Sequence, residues 1–598
     1  MDLAFTSPES AAAVPAAQGR AGDRYLLVLS ACLLGYALMG RPFAYLGVPP
    51  LFVGEAMLAA GLLLTVRLRG LDLLGREGPF WVLAALLLLT LVRSVPYIGL
   101  YGLDVARDAM LIGYGLYAVV AYLLLVERPE RLRTLVVRYR TFAVVMVALV
   151  WLPYLLFRID QTWIPLMPGQ DTVRIVEAKG GDLMVHLSAI GAFLLLGLRR
   201  PSWPVTLALA ANAVLVMVSN RGGMIAFVLT LGLAFLLRPP GASGLRLAFA
   251  LAAVVVAGVV AVPVMQAVRI SGDSRALTVE QIWDNARSIV GQSDSASLET
   301  TKTWRLRWWR KIADDVLFGD KVWTGRGFGV NFADLDGFAI DDAGSLRSPH
   351  NATMTVLGRL GMPGLALWVL LHAWWVFAMA RAWFAARAAR LHTWSAVFAF
   401  GLCLWLAMCV NASFEVYFEG PMGGIWLWTV VGAGLAATQI VRRHPDLFST
   451  PAFGTVPPVR RAPVTTWTPP PHPDAPRPTP AAPYLAPPPA RLPARPPAAL
   501  PWTAPPWMSA LRLAKPWSAG SDAAPVAARP STAPPPVATS PAPPVGSPLT
   551  PPQAAPPRPP PPTQCPPAPL REEAPADGLR PTDAVWEWSP TATAWRAD

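Results

Sequence analysis

Charge is scarce in this chain. Asp, Glu, Lys and Arg make up 15% of its 598 residues, where an ordinary soluble domain carries about 25%. Cysteine is scarcer still: of four residues, Cys32, Cys403 and Cys409 lie in apolar stretches and Cys565 lies far toward the C-terminus. That excludes a disulfide framework and leaves no Cys-based zinc site in any polar loop. No basic stretch carries a nucleic-acid-binding motif, so the net charge of +13 does not point to nucleic acid. What remains is apolar. Hydrophobic residues reach 54% and mean hydropathy is +0.41, the composition of a polytopic membrane protein.

A span needs about 20 apolar residues to cross a bilayer as a helix. By that measure an all-α protein of about twelve transmembrane helices is expected, at 25–40, 46–66, 79–97, 108–126, 139–157, 181–198, 203–219, 222–238, 246–268, 353–378, 394–413 and 421–441. Residues 1–24 are small and polar, without a cleavable leader pattern, and Arg20 and Arg24 precede the apolar run from Tyr25. This reads as a short cytoplasmic segment before a retained signal anchor.

Arginine orients the set. With the N-terminus inside, the inward loops hold Arg67, Arg69 and Arg76, then Arg128 to Arg140, Arg199/Arg200, Arg238/Arg246, Arg381 to Arg390 and Arg442/Arg443. The alternate loops are nearly bare of Lys and Arg apart from Arg41, Arg107 and the candidates below, as the positive-inside rule requires. Both termini are then cytoplasmic in a multi-pass membrane protein. The chain divides into spans over 25–268, an extracytoplasmic catalytic loop over 269–352, spans over 353–443, and a tail over 444–598. The tail holds most of the 65 prolines with few aliphatics, and is expected to be disordered. Its Pro-rich runs, such as Arg558 to Pro562, and the terminal Trp586-Glu587-Trp588 are candidate docking motifs for a cytoplasmic partner.

The long loop carries the informative residues. Trp304, Trp308, Ile312 and Val316 recur every fourth position from Thr303 to Phe318, with Arg305, Arg307, Arg310 and Lys311 between them. That periodicity predicts an amphipathic helix in the headgroup layer of the membrane lipids, where arginines meet phosphates. The bland alternative is that these arginines only anchor the loop to anionic lipid. Gly325 to Gly329 predicts a turn in which backbone approaches something closely, not a nucleotide loop, since no strand precedes it. His350-Asn351 opens the tenth span, with Asn351 a helix cap, and Gly361-Met362-Pro363-Gly364 interrupts that span. A lone interfacial histidine is usually a satisfied polar group; this one lies beneath a cationic loop. Arg221, in Asn220-Arg221-Gly222-Gly223 between two spans, suits an anion site or simple snorkelling. Arg174 and Lys179 add positive charge in another outward loop. Glu55 and His186 read as internal polar pairings. Asp341-Asp342 lacks a spaced third ligand, so no metal site is expected. The sequons at Asn351 and Asn411 touch span ends and read as chance.

These residues resemble the O-antigen ligase family of polytopic bacterial membrane proteins. Asn220-Arg221-Gly222-Gly223 resembles its Ser-Arg-Gly stretch, with Asn220 departing from the usual Ser. Arg305-Leu306-Arg307-Trp308-Trp309 resembles its Arg-x-x-x-Trp loop helix, Gly325 to Gly329 its Gly-x-Gly segment, and His350-Asn351 with Leu357, Gly361 and Gly364 its most specific motif. The likeness covers roughly 219–364, extends by span count over 25–441, and has no counterpart for the tail. It implies inverting, metal-independent transfer of a glycan from a polyprenyl-pyrophosphate-linked donor to an acceptor at the outer face of the cytoplasmic membrane, with no cofactor. In that pattern Arg221 and Arg305 hold the pyrophosphate and His350 activates or orients the acceptor hydroxyl. Arg307, Trp309, Asn351 and Arg174 complete the set as substrate-binding candidates. The acceptor is left open within the family: lipid A core, a growing glycan (polymerase) or a protein hydroxyl (O-oligosaccharyltransferase). In other classes, a transporter or flippase and a scaffold presenting the tail remain as alternatives.

Overall fold

The computed structural model describes residues 16–48, 51–66, 74–159, 164–168, 173–217, 220–239, short pieces of 249–258, 296–339, 346–449, 586–588 and 595–597. In chain order the helices are α1 (Ala16–Met39), α2 (Arg41–Ala44), α3 (Val53–Val66), α4 (Gly78–Ser94), α5 (Ile98–Tyr101), α6 (Leu103–Gly113), α7 (Leu116–Glu127), α8 (Glu130–Leu149) and α9 (Trp151–Ile159). They continue with α10 (Gly180–Leu195), α11 (Trp203–Met217), α12 (Arg221–Leu237), α13 (Ala296–Leu317), α14 (Phe332–Asp336), α15 (Ala352–Ala388), α16 (His392–Ala412) and α17 (Pro421–Arg443). Two small antiparallel ladders join them: β1 (Gly47–Val48) with β2 (Leu51–Phe52), and β3 (Trp586–Trp588) with β4 (Trp595–Ala597).

Among the described residues, seven helical stretches are long and apolar enough to cross a membrane: Gly19–Met39, Gly78–Tyr101, Leu103–Glu127, Glu130–Phe157, Ala352–Ala388, His392–Ala412 and Pro421–Arg443. Shorter apolar helices occupy Val53–Val66, Gly180–Leu195, Trp203–Met217 and Arg221–Leu237. The protein is a polytopic all-α membrane protein. The expected ninth span, 246–268, lies largely outside the described residues, as do 269–295 of the loop, the pair Asp341-Asp342 and the tail from 450 to 585.

Tryptophan ties the helices together. The buried indoles of Trp375, Trp426 and Trp428 donate to the carbonyls of Val431, Leu33 and Leu111, linking α15 to α17 and α17 to α1 and α6. At the end away from the loop, the arginines read as topology signals also cap carbonyls. Arg131, 4% exposed, donates to the Leu124 and Gly19 carbonyls and pairs with Asp23 and Glu127. Arg140 and Arg387 donate to the carbonyls of Leu198 and Arg238, satisfying backbone groups that a helix end leaves open. The exceptions Arg41 and Arg107 are neutralised by Glu177 and by Asp104 and Asp108.

At the opposite end α13 and α14 form a lid over the start of α15. Trp308, Ile312, Val316, Phe332 and Leu357 make its core. Arg326 grips Asp336 through two nitrogens at 2.7 and 3.0 Å and Asp315 through a third. The Arg326 and Arg359 guanidiniums lie 5.1 and 4.2 Å from the Phe332 ring centroid. The amphipathic helix expected over Thr303 to Phe318 forms within α13, and its Trp304-Trp308-Ile312-Val316 stripe turns inward. The stripe packs against α14 and α15, because the lid supplies its own apolar partner; among the described residues Leu306, Phe318, Trp323 and Leu335 are the exposed large apolar side chains of this region.

Two further readings change. His186 finds no polar pairing: its ring lies against Phe142 and Trp426, and Nδ1 meets no hydrogen-bond partner among the described residues. Glu55 does pair, accepting from the Tyr114 hydroxyl at 2.7 Å. The tail boundary also moves. Phe448 is 2% exposed and the Trp394 indole donates to the Pro445 carbonyl, so the ordered body extends past 444.

Candidate functional site

The lid is positioned by a broken helix. Gly361 has φ +66° inside α15, which frees the Met362 N–H to donate to the Val322 carbonyl at 2.8 Å. A Cβ on Gly361 would fall 2.6 Å from that carbonyl oxygen, so glycine is required by both conformation and space. The facing turn is Gly325 to Gly329. A Cβ on Gly325 would fall 2.5 Å from the Arg359 carbonyl carbon. The close backbone approach expected of these glycines is therefore an approach to α15 itself. Arg359, buried on α15, donates to the Gly327 and Val330 carbonyls and meets Asp108 of α6 at 2.8 Å. Asp108 also accepts from the Gly329 N–H, and Arg347 reaches Asp104 and the Gly329 carbonyl.

The docked lid brings three side chains together. Nδ1 of His350 lies 3.5 Å from Oε2 of Glu415, and Nη2 of Arg305 lies 3.7 Å from Oε1 of the same carboxylate. Arg305 comes from α13, His350 from the turn before α15, and Glu415 from the link between α16 and α17. His350 is a non-glycine residue with φ +54°, a left-handed conformation costing about 1–2 kcal/mol, so its neighbours must hold it. Trp309 Nε1 donates to the Pro349 carbonyl at 2.6 Å, and the Asn351 side chain accepts from the Met354 N–H, capping α15. Trp304 stands edge-on to the imidazole, 6.4 Å between centroids.

Electrostatics set the protonation states. Burial pushes the Glu415 carboxyl up, but His350, Arg305 and Lys179 outweigh it and leave its pKa at about 2. Burial holds His350 below the ordinary histidine range, with Arg305 and Lys179 acting the same way and Glu415 opposing them. At neutral pH the glutamate is charged and the imidazole neutral. Nδ1 faces the carboxylate at 3.5 Å without a formed hydrogen bond to any described residue; a proton carried there leaves the Nε2 lone pair to accept one. Nε of Arg305 is buried and meets no hydrogen-bond partner among the described residues.

The other sequence candidates are distributed unevenly about this centre. Arg221 opens α12, where Asn220 accepts from the Gly223 N–H at 2.5 Å. A Cβ on Gly222 would lie 3.3 Å from the Phe414 ring, so the start of α12 abuts the segment that carries Glu415. Arg307 is exposed and lies about 200° around α13 from Arg305, on the far face of the helix. Arg174 donates to the Ile164 carbonyl within its own loop; Lys179, farther along, is the cation of that loop whose field reaches His350 and Glu415. Asn411 is fully buried and donates to Asp182 at 2.9 Å, which agrees with reading its sequon as chance. Sequence reasoning missed Glu415 and, beside it, Glu419. The one available signal was two carboxylates in a short link between apolar spans, where charge is costly.

Residues 183–369 match the family model described as O-antigen ligase. The match runs from α10 into α15 and includes Arg221, Arg305 and His350, while Glu415 lies beyond it. No curated protein matches the chain significantly.

Proposed function

We propose that this chain, whose residues 183–369 match the O-antigen ligase family model, transfers a glycan from a polyprenyl-pyrophosphate donor to an acceptor hydroxyl at the outer face of the cytoplasmic membrane. In this reading twelve spans place both termini in the cytoplasm and the lid outside. The carrying observation is the convergence of Arg305, Glu415 and His350 beneath the lid.

The acceptor oxygen attacks the anomeric carbon while the bond from that carbon to the pyrophosphate oxygen breaks. The hydroxyl proton passes to Nε2 of His350, whose Nδ1–H is oriented by Glu415. The polyprenyl pyrophosphate leaves with the bonding electron pair, and Arg305 and Arg221 meet the charge that develops on its oxygens. A single displacement inverts the anomeric centre. Fixed guanidiniums supply the positive charge a divalent ion would otherwise bring, so the transfer is proposed to proceed without metal. Trp309 and Asn351 act by shaping the His350 turn, and Lys179 takes the place given earlier to Arg174 as supporting charge. Arg307, on the far face of α13, faces lipid headgroups. A partner for the tail stays a proposal of the sequence alone.

The test is purified protein with a synthetic polyprenyl-pyrophosphate glycan, lipid, glycan and protein acceptors in parallel, and chelator throughout. Product in one arm is expected from wild type and none from His350→Gln. Solute flux in liposomes without product in any arm would replace this reading with a transporter.

A further inference from the structure

The link between α16 and α17 carries a second carboxylate that the transfer chemistry does not use. Oε1 of Glu419 accepts from the Ser348 hydroxyl at 2.7 Å and from the Thr355 hydroxyl at 2.5 Å, and these two hydroxyls lie 3.2 Å apart. Oε2 is buried and meets no hydrogen-bond partner among the described residues. One oxygen thus joins the residue two before His350 to the residue five after it, across a turn whose central residue is left-handed. Burying a carboxylate with half its acceptor capacity unused is unfavourable. Such a group is better explained by what it holds than by the stability it adds.

We propose that Glu419 is a positioning residue for the transfer reaction, stapling Ser348 to Thr355 so that the left-handed turn keeps the His350 imidazole against Glu415. This rests on the functional reading above. The two glutamates then divide one task. Glu415 orients the ring through Nδ1, and Glu419, one helical turn's worth of chain further on, holds the backbone that carries the ring. Without the staple, residue 350 relaxes toward the right-handed or extended basin that a non-glycine residue prefers. That swings the imidazole off its carboxylate and away from the acceptor. Burial pushes the Glu419 carboxyl above its ordinary range, against the two hydroxyls and Arg359, as expected of a group kept out of solvent.

The experiment compares wild type with Glu419→Gln, Glu419→Ala and the double variant Ser348→Ala/Thr355→Val, all in the full-length protein. Two readouts are taken: steady-state transfer, and hydrogen exchange of the peptide spanning 346–356. The Gln amide oxygen accepts from both hydroxyls, so Glu419→Gln is expected to keep transfer and protection. Glu419→Ala is expected to lose about 100-fold in kcat with the donor KM unchanged, and to exchange faster in that peptide. The double variant should match it, and combining the three changes should add no further loss. Unchanged kcat in Glu419→Ala, unchanged exchange in that variant, or a Gln variant as impaired as the Ala variant overturns the proposal. If Glu419→Ala does not fold, the double variant decides by the same two readouts. No transfer by wild type would overturn the ligase reading instead, and the exchange arm would still decide whether Glu419 holds the turn.

Discussion

His350 and Glu415 meet at 3.5 Å, Nδ1 to Oε2, although they come from segments separated by two membrane-embedded helices. The carboxylate is held to a pKa of about 2 and the imidazole below the ordinary histidine range. The pair is therefore a charged acceptor and a neutral ring, an arrangement suited to taking a proton at Nε2.

The pH dependence follows with its sign. Transfer should fall on the acid side as pH drops through the His350 value, which lies below about 6.5. Glu415→Gln removes the one influence that raises that value. The acid limb should move to lower pH while kcat falls about 100-fold, because the Nδ1 proton loses its anchor. The Glu415 pKa is depressed in the fold, so its stabilising contribution is present above about pH 4.3 and is lost as pH falls toward 2. Thermal unfolding of wild type and Glu415→Gln should accordingly differ at neutral pH and converge at the acid end. A limb that moves upward, or does not move, contradicts the assignment.

Arg305 is expected to tolerate no replacement. Arg305→Ala should cost about 10²–10³-fold in kcat, the range for removing one donor to a developing anion. Arg305→Lys should recover little, since an ammonium cannot span carboxylate and pyrophosphate with a rigid fork. The check is single-turnover transfer on protein whose insertion and thermal profile match wild type. Full activity in the Lys variant would leave only a lipid-anchoring role.

The lid latch makes a stability prediction. Asp108→Ala strands the buried Arg359 guanidinium and should destabilise by about 3–5 kcal/mol, with faster proteolysis of 318–347. The double change Asp108→Leu/Arg359→Met removes both charges. It should be milder than the single change by thermal unfolding, though two carbonyls lose their donor. Equal damage from single and double changes would assign the latch to what both lose, the Asp108 contacts with the Gly329 N–H and Arg347.

Truncation sites separate body from tail. Ending the chain after Ser449 should leave folding and transfer unchanged. Ending it after His444 removes buried Phe448 and the Trp394 to Pro445 bond. That should cost about 2–4 kcal/mol, from one buried aromatic and one hydrogen bond, read as a lower unfolding temperature. Loss of transfer on truncation after Ser449 would favour the scaffold reading.

Membrane class, most of the apolar helices among the described residues, the Asn351 cap and the break at Gly361 were legible in the amino-acid order. Each is a local property: a run of apolar residues, a capping side chain, or a motif contained in a few positions. Which way the Trp304 to Val316 stripe faces was not local, because lipid and a neighbouring helix offer the same apolar surface. Only packing decided between them, and it chose α14 and α15. Nor could order along the chain announce Glu415 or Glu419, whose roles exist only once the lid folds back and the link between α16 and α17 reaches His350. Burial and charge pairing then set their protonation, and those depend on neighbours in space.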